Sequence, residues 1–317
     1  RRHAIDCQAE RSGWIHACHS SAAMRRAESR AAQWQRRGVT LRALNRNEVA
    51  GLLGTAEYAG GVLDPRGGKL QPLSYARGLA RAAIRLGARI HANSPARTLT
   101  RVGRDWRLAT DAGALIAPGL ILATNAHTGD LWPGLKRSVI PLQSLQVATA
   151  PLAESVRRTI LPQGHVVSDT RRLLLYFRLD QTGRLIFGGR GTVGERIIPG
   201  HVAHVERAMR RLFPQLGAPQ REFVWAGHVA VTLDQLPHLH ELAPGAVAAL
   251  GYNGRGVAMA TFLGKLAAER VLKGASADTP FPLTPMRPVP MHVARMPLLA
   301  ALLQYYRLRD TLDVRFG

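Results

Sequence analysis

The chain has 317 residues, 46% hydrophobic and 20% charged, with 31 Gly and 19 Pro; this balance supports a large core in one α/β body or two domains, and excludes disordered, collagen-like and disulfide-scaffold classes. Lys plus Arg exceed Asp plus Glu by 43 to 21, a net +22, which raises nucleic acid or an acidic surface as a partner. Only Lys69, Lys136, Lys265 and Lys273 are lysines, and the arginines are scattered along the chain without forming a tail, the pattern of an arginine-biased surface.

In chain order, Trp14 to Cys18 alternates as a strand does. Ser20 or Ser21 caps an Arg-rich helix running to Gly38, whose tolerance of a left-handed backbone suits a helix end. Asn45 opens a short helix through Leu53, and Tyr58 to Pro72, with six residues from Gly and Pro, reads as a turn-rich loop. Helix resumes at Ser74 with Leu79, Ala83 and Leu86 on one face, stops at Gly87, and gives way to a short strand from Ala88 to His91. Trp106 to Thr110 and Leu115 to Ala117 form a hairpin around Asp111-Ala112-Gly113, and Gly119 to Ala123 reads as a fully buried strand. Pro141 to Thr149, Leu173 to Arg178, Leu185 to Gly188 and Arg221 to Thr232 read as strands of a broad mixed or antiparallel sheet, with a helix from about His201 to Phe213. Ala246 to Leu250 is a short apolar strand and Val257 to Lys273 a helix stopped by Gly274. Pro280 to Pro297 reads as an ordered arm before a last short helix holding Tyr305 and Tyr306.

The stretch Gly251-Tyr252-Asn253-Gly254-Arg255-Gly256-Val257 is the most informative chemically. It joins a buried strand to a helix whose first turns, Val257 to Leu263, are apolar nearly all round, which predicts an interior helix start. Free N–H groups there need partners, and glycines let a flat ligand or its charged edge approach them. The alternative is a tight strand-to-helix turn with no ligand. A literal GxGxxG, Gly189-Arg190-Gly191-Thr192-Val193-Gly194, also follows a strand, but Pro199 and Gly200 intervene before the next helix, so it reads as a loop.

Other chemistries find less. His201 with His204 and His238 with His240 are the close histidine pairs; no carboxylate pattern completes a zinc motif, so no metal is expected and they read as surface or loop histidines. Cys7 and Cys18 lack a CxxC or zinc spacing, which predicts a reducing, cytoplasmic setting. No GxSxG elbow is present, so the chemistry belongs to a cofactor. The best apolar run, Ala112 to Ala123, is broken by Pro118 and Gly119, and no membrane partner is expected. The chain opens at Arg1 within what reads as folded sequence, so an N-terminal portion is expected to be absent.

Ala4 to Cys7, Gly61 to Gly68 with Pro72, Leu122 to Ala126, Tyr176-Phe177-Arg178 with Arg184 to Gly189, Phe213 to Leu216, Trp225-Ala226-Gly227 with Thr232 and Pro237, Gly251 to Val257, and Tyr306 to Asp310 occur in one family's order. In these segments the chain resembles FAD-dependent amine and amino-acid oxidoreductases of the D-amino-acid-oxidase-like superfamily, most strongly the γ-glutamylputrescine oxidase branch, over nearly its whole length.

The resemblance implies an α/β (α+β) protein: an interrupted FAD-binding Rossmann-like domain, incomplete here, and a substrate domain with a large mixed or antiparallel sheet. Residues 1–70 and 131–240 would form the substrate domain, 71–130 and 241–275 the FAD-binding domain, and 276–317 a C-terminal arm; the family's Gly-rich ADP-binding turn falls before Arg1. It further implies FAD bound by Gly251, Asn253, Gly254, Arg255, Gly256 and Val257, with Gly254, Arg255 and Gly256 near the flavin ring, Ala96 near the adenine and Ala123, Thr124 and Asn125 near the cofactor's middle. The cofactor would be noncovalent, since no cysteine follows Cys18.

Tyr176, Arg178 and Tyr252 are the implied substrate-binding residues, and no catalytic residue is assigned. Arg178 would grip a substrate carboxylate in a two-pronged pair, its alternative being a sheet-surface arginine in a salt bridge. Tyr252 and Trp225 would wall the pocket, with core packing the alternative for Trp225. The implied reaction is hydride transfer from the carbon beside a neutral amine to flavin N5, then imine hydrolysis and reoxidation by oxygen or another electron acceptor. Ala258 stands where sarcosine-oxidising relatives carry lysine, so sarcosine-like activity is not expected. The rival readings are a basic nucleic-acid-binding protein, which lacks any recognition motif, and an inactive fragment of the oxidase.

Overall fold

The computed structural model describes residues 3–190, 194, 196–276 and 278–316. The chain divides into two compact units, one of Arg1–Arg85, Gln143–Gly227 and Leu299–Gly317, the other of Leu86–Leu142 and His228–Leu298. Among the described residues, no helix is long and apolar enough to cross a membrane.

The first unit opens with β1 (Trp14–Cys18), whose alternation buries Ile15 and Ala17. Helix α1 (Ser21–Gln35) starts where Ser20 Oγ accepts the Ala23 N–H at 3.2 Å, the capping that a serine favours. After β2 (Arg42–Leu44), α2 (Arg46–Leu53) starts on a capping box: Asn45 Oδ1 accepts Glu48 N–H at 3.0 Å and Glu48 returns a carboxylate to Asn45 N–H at 2.8 Å. Next come β3 (Gly60–Asp64) and α3 (Pro72–Arg85). The chain then enters the second unit with the antiparallel ribbon β4 (Thr98–Val102), β5 (Asp105–Thr110) and β6 (Gly113–Ala117), followed by β7 (Leu120–Leu122).

It returns through β8 (Ile140–Thr149), the single turn α4 (Glu154–Arg157), β9 (Val166–Asp169), β10 (Leu175–Leu179), β11 (Leu185–Arg190), α5 (Pro199–Leu212) and β12 (Arg221–Val231). The second unit closes with β13 (His238–Ala243), β14 (Ala246–Leu250) and α6 (Gly256–Lys273); α7 (Arg295–Phe316) is the last helix.

Eight strands form one mixed sheet in the order β12-β8-β11-β10-β9-β1-β3-β2, with β1 and β9 parallel. Because side chains alternate along a strand, one face of this sheet sends Ile15, Leu145, Val147, Leu175, Phe177, Leu185 and Phe187 into a core shared with Val205, Met209 and Leu212 of α5. Phe177 stacks on Phe187 at 5.4 Å and meets Phe213 edge-on at 5.2 Å; each such side chain contributes about 1.5–3 kcal/mol by leaving water. In the second unit, β13, β14 and β7 form a sheet in which β14 and β7 are parallel. Leu263, Leu266 and Ala267 of α6 pack on Leu239, Val247 and Ala249.

Several local expectations fail for identifiable reasons. Tyr58 to Pro72 is not one loop, since Gly60–Asp64 is β3, paired with both β1 and β2. Its glycines serve close packing: a Cβ on Gly60 would lie 2.8 Å from the Leu44 carbonyl oxygen. Ala88 to His91 forms no strand, and α3 buries Gly78 and Ala82, leaving Leu79 and Leu86 exposed, because Ile5 packs where a Gly78 side chain would be. Strand β7 is buried only at Leu122, with Ile121 40% exposed.

The start of α6 is also open, Val257 being 48% exposed, and its buried stripe begins at Leu263. Trp225 is exposed on β12, an edge strand, so it is no core residue. The last helix spans 22 residues and is not short. His201 and His240 are buried, not superficial, as inward positions of α5 and β13; His240 Nδ1 meets the Thr284 carbonyl at 2.6 Å and His238 Nε2 meets the Asp234 carboxylate at 3.1 Å. Gly191, Thr192 and Val193 of the GxGxxG stretch lie outside the described residues.

Candidate functional site

Parallel strands of an open α/β sheet gather ligands beyond their carboxyl ends. Strands β7 and β14 run parallel in the register Leu120 with Ala246, Ile121 with Val247 and Leu122 with Ala248, so Ala123-Thr124-Asn125 and Gly251 to Gly256 leave the same end of the same sheet. They are joined directly: Asn125 Oδ1 accepts the Gly251 N–H at 3.0 Å. Ala123 and Thr124 are exposed and Asn125 half-buried, with Thr124 Oγ1 2.8 Å from Thr128 Oγ1. Ala96 is exposed in the segment before β4.

The glycine loop owes its course to three left-handed residues, Gly251 at φ 75°, Asn253 at 51° and Gly254 at 88°, a region that favours Gly and tolerates Asn. It delivers the chain to Arg255, the N-cap of α6, which makes no side-chain cap hydrogen bond. Among the described residues, the first-turn amides at Gly256, Val257 and Ala258 therefore have no intrahelical or side-chain acceptor, and the helix dipole adds positive potential there. A Cβ on Gly254 would meet nothing within 4 Å, and one on Gly256 only Tyr252 Cδ2 at 3.6 Å. Uncapped donors beside open space suit the carbonyl edge of a flat ring, so the residues present fit the isoalloxazine of FAD. Tyr252 itself is buried in the α6 core, its hydroxyl donating to the Ala249 carbonyl at 3.1 Å.

Tyr176 and Arg178 belong to the first unit. Both lie on the face of β10 opposite the apolar core, where register aligns Tyr176 with Gly188 of β11 and Ser168 of β9, Gly188 with Gln146 of β8, and Ser168 with His16 of β1. The Tyr176 hydroxyl sits 2.5 Å from Ser144 Oγ and donates to the Gly189 carbonyl at 3.1 Å, while its ring covers Gly188, where a Cβ would lie 2.2 Å away. Trp14 stacks on His16 at 5.2 Å and donates from Nε1 to Ser168 Oγ at 2.9 Å. Half-buried Trp14, His16, Ser144, Gln146, Ser168, Tyr176 and Arg178 thus make a polar, aromatic sheet face.

Arg178 has no salt bridge among the described residues, so its alternative as a paired surface arginine does not hold. Burial pushes its pKa down, opposed by the charge of Asp180, which leaves a partly desolvated cation suited to an incoming carboxylate. The sequence singled out only Tyr176 and Arg178 on this face. Trp14, His16, Gln146 and Ser168 have no motif, and their only signal is polar residues recurring at every second position of strand-like segments.

The fold also brings together His19, Asp310 and Asp313, with potential ligand atoms within 4.8 Å of one another. Arg172 already engages both carboxylates, its Nη1 lying 3.0 Å from Asp310 Oδ1 and 2.7 Å from Asp313 Oδ2, and Asp310 also accepts the Arg172 and Leu173 amides at 3.0 Å. With those oxygens occupied, the cluster is an ion-pair network that seats α7.

Residues 1–270 match the family model described as FAD dependent oxidoreductase. The chain is 35% identical over 225 residues to a probable oxidoreductase OrdL of Haemophilus influenzae, covering 69% of this chain and 51% of that protein. It is 30% identical over 317 residues to the gamma-glutamylputrescine oxidoreductase of Escherichia coli, covering 99% and 74%. The chain therefore spans about half the length of the Haemophilus relative. Among solved structures, glycine oxidase from Geobacillus kaustophilus has the same fold, with a TM-score of 0.77 at 22% identity, over 90% of this chain and 76% of the other. Iminodiacetate oxidase from Chelativorans superposes with a TM-score of 0.73 at 19% identity, over 89% and 77%.

Proposed function

The chain belongs to the DAO family of FAD-dependent oxidoreductases, and from that premise we propose that it serves the oxidation of a carboxylate-bearing amine such as γ-glutamylputrescine, with noncovalent FAD and oxygen as acceptor. Bound FAD would supply the two-electron acceptor for the C–H bond beside the amine. The protein's own contribution begins at Gly254 and Arg255, which lead into the uncapped amides of Gly256, Val257 and Ala258, fixed donors to a developing negative charge at little reorganisation cost. Asn125 and Gly251 hold these donors at the carboxyl end of the β7–β14 pair, and Ala123 and Thr124 line the same end. Ala96 is assigned to the adenine side.

On the substrate side, Arg178 orients the carboxylate and Tyr176 and Gln146 shape the sheet face around it. A flat guanidinium with two parallel donors fixes a carboxylate in position as well as charge, which turns binding energy into orientation of the reacting carbon. Burial pushes the Cys18 thiol up to about 11; a protonated, buried thiol is a poor nucleophile, in keeping with a noncovalent cofactor, and two free cysteines suit a reducing, cytoplasmic setting.

The observation that carries the reading is the convergence of two parallel strand ends on an uncapped helix start. The test is titration of the full-length protein with FAD, followed by flavin fluorescence, for the parent and for Gly256→Val. The added side chain has room in the fold and would occupy the approach to the amides. The parent is expected to bind FAD and release it on acid denaturation, and the variant to bind at least tenfold more weakly. Equal binding by the two would refute the assignment. Peroxide release with a γ-glutamylated diamine, against the free diamine, tests the substrate.

A further inference from the structure

We propose that Asn253 and Thr232 form a positioning clamp that fixes the course of the glycine loop and so aims the start of α6; this rests on the reading of that loop as the flavin-facing element. The resemblance makes Asn253 a cofactor contact, but its amide is turned into the protein. Asn253 Oδ1 accepts the Thr232 N–H at 3.1 Å, and Nδ2 donates to Thr232 Oγ1 at 3.0 Å and to the Gly251 carbonyl at 2.5 Å. A primary amide has two N–H donors; both are used here, and neither remains for a ligand. The surrounding groups also fix its orientation, since a backbone N–H can only meet the oxygen and a carbonyl can only meet the NH₂.

Thr232 completes the clamp from the other side. It is 2% exposed, its hydroxyl donates to the Leu236 carbonyl at 2.8 Å, and its methyl fills the place a side chain on Gly251 would take, 2.4 Å from that Cβ position. The Asn253 backbone N–H donates to the Ala230 carbonyl at 3.1 Å. One asparagine is thus held at φ 51°, between glycines at 75° and 88°, by its side chain and its backbone together. Left-handed residues persist where surrounding contacts over-determine them. Here those contacts come from Ala230 of β12 and Thr232 just after it, outside the loop, so loop geometry is set by the end of that strand.

Two measurements test this, one of which needs no flavin. Asn253→Gly retains tolerance of positive φ and removes only the clamp, and Thr232→Val removes the hydroxyl at nearly constant volume. In the flavin-free full-length protein, exchange of the hydrogen-bonded amides at 251, 253 and 255 is expected to quicken about tenfold in either variant, with α5 and β10 unchanged; the FAD dissociation constant is expected to rise about tenfold. Because both variants cut the shared Asn253 Nδ2–Thr232 Oγ1 bond, their effects in the double variant should be less than additive, and Thr232→Ser should stay near the parent. Parental exchange and parental FAD affinity in both single variants, or additive effects in the double, would overturn the clamp. A full-length parent that binds no FAD while Asn253→Gly still quickens exchange at 251 and 255 leaves the clamp standing and removes the flavin reading.

Discussion

The side-chain oxygen of Asn125 accepts the amide proton of Gly251 at 3.0 Å, so the residue that begins the turn after β7 is tied to the first residue after β14. Two strand ends that could separate are thereby held as one edge of the site. Asn125 sits at φ 45°, so Asn125→Gly, which tolerates that backbone, isolates the bond. Its loss leaves a buried N–H unpaired, worth about 1 kcal/mol. FAD affinity should fall about fivefold in a fluorescence titration, and an unchanged dissociation constant would show that the bond does not position the site.

Arg178 should matter to carboxylate substrates and to little else. A charge-assisted bond contributes about 1.5–3 kcal/mol, so Arg178→Gln should lower kcat/KM for a γ-glutamylated diamine by about 10- to 100-fold. With an amine lacking the carboxylate, parent and variant should be alike. Equal losses on both amines would make Arg178 a structural residue.

Gly188 has no room to grow. A Cβ there would lie 2.2 Å from Tyr176 Cε2 and 2.8 Å from Gln146 Cγ, so Gly188→Ala should displace the ring and cost about 1–3 kcal/mol. Its unfolding midpoint should drop by several degrees, and Gly188→Ala with Tyr176→Phe should recover none of it, because the clash is with ring carbon and not the hydroxyl. A stable single variant would mean Tyr176 is free to move.

Asp310 should govern the seating of α7. Asp310→Ala leaves the Arg172 and Leu173 amides and one side of the Arg172 guanidinium without their acceptor, a loss of about 2–3 kcal/mol. Limited proteolysis should then cut within Arg295–Phe316 while fragments of β10 and β11 stay intact; protection equal to the parent's would remove the latch from the account.

Acid should destabilise the protein through its histidines. Burial, aided by Arg171, lowers the pKa of His19 below its ordinary 6.5; burial lowers His201, His204 and His240 too, with Arg307 assisting at the first two. As pH falls through 6.5 the unfolded chain takes up protons that the folded chain refuses, so this stability is complete above 6.5 and is lost below it. Asp313, held below 3.8 chiefly by its hydrogen bond from Arg172, extends the loss to lower pH. The urea midpoint should fall between pH 7.5 and pH 5.5, less steeply in His19→Asn; a flat profile would contradict these directions.

Capping and periodic signals were legible because they are local. Ser20, Asn45 and Gly274 mark helix ends from their own chemistry, and the alternation of Trp14 to Cys18 and Ala246 to Leu250 needs no partner strand to be seen. Strand β3 was hidden because Gly60 and Gly61 look like turn residues until Leu44, Met24 and His16 are seen against them. The polar face of the large sheet was half hidden for a similar reason: Tyr176, Ser168 and His16 share it only through the register of three strands.

The amino-acid order alone determined the family, the expectation of FAD and the glycine loop before α6, since these rest on short contiguous runs whose chemistry travels with them. Only the tertiary structure decided that Asn253 turns inward to Thr232, that Asn125 joins Gly251, and that Arg178 makes no salt bridge among the described residues. Each of these depends on which distant segment fills the hydrogen-bonding or ionic valence of a side chain, and a partner separated by tens of residues leaves no mark on the local pattern.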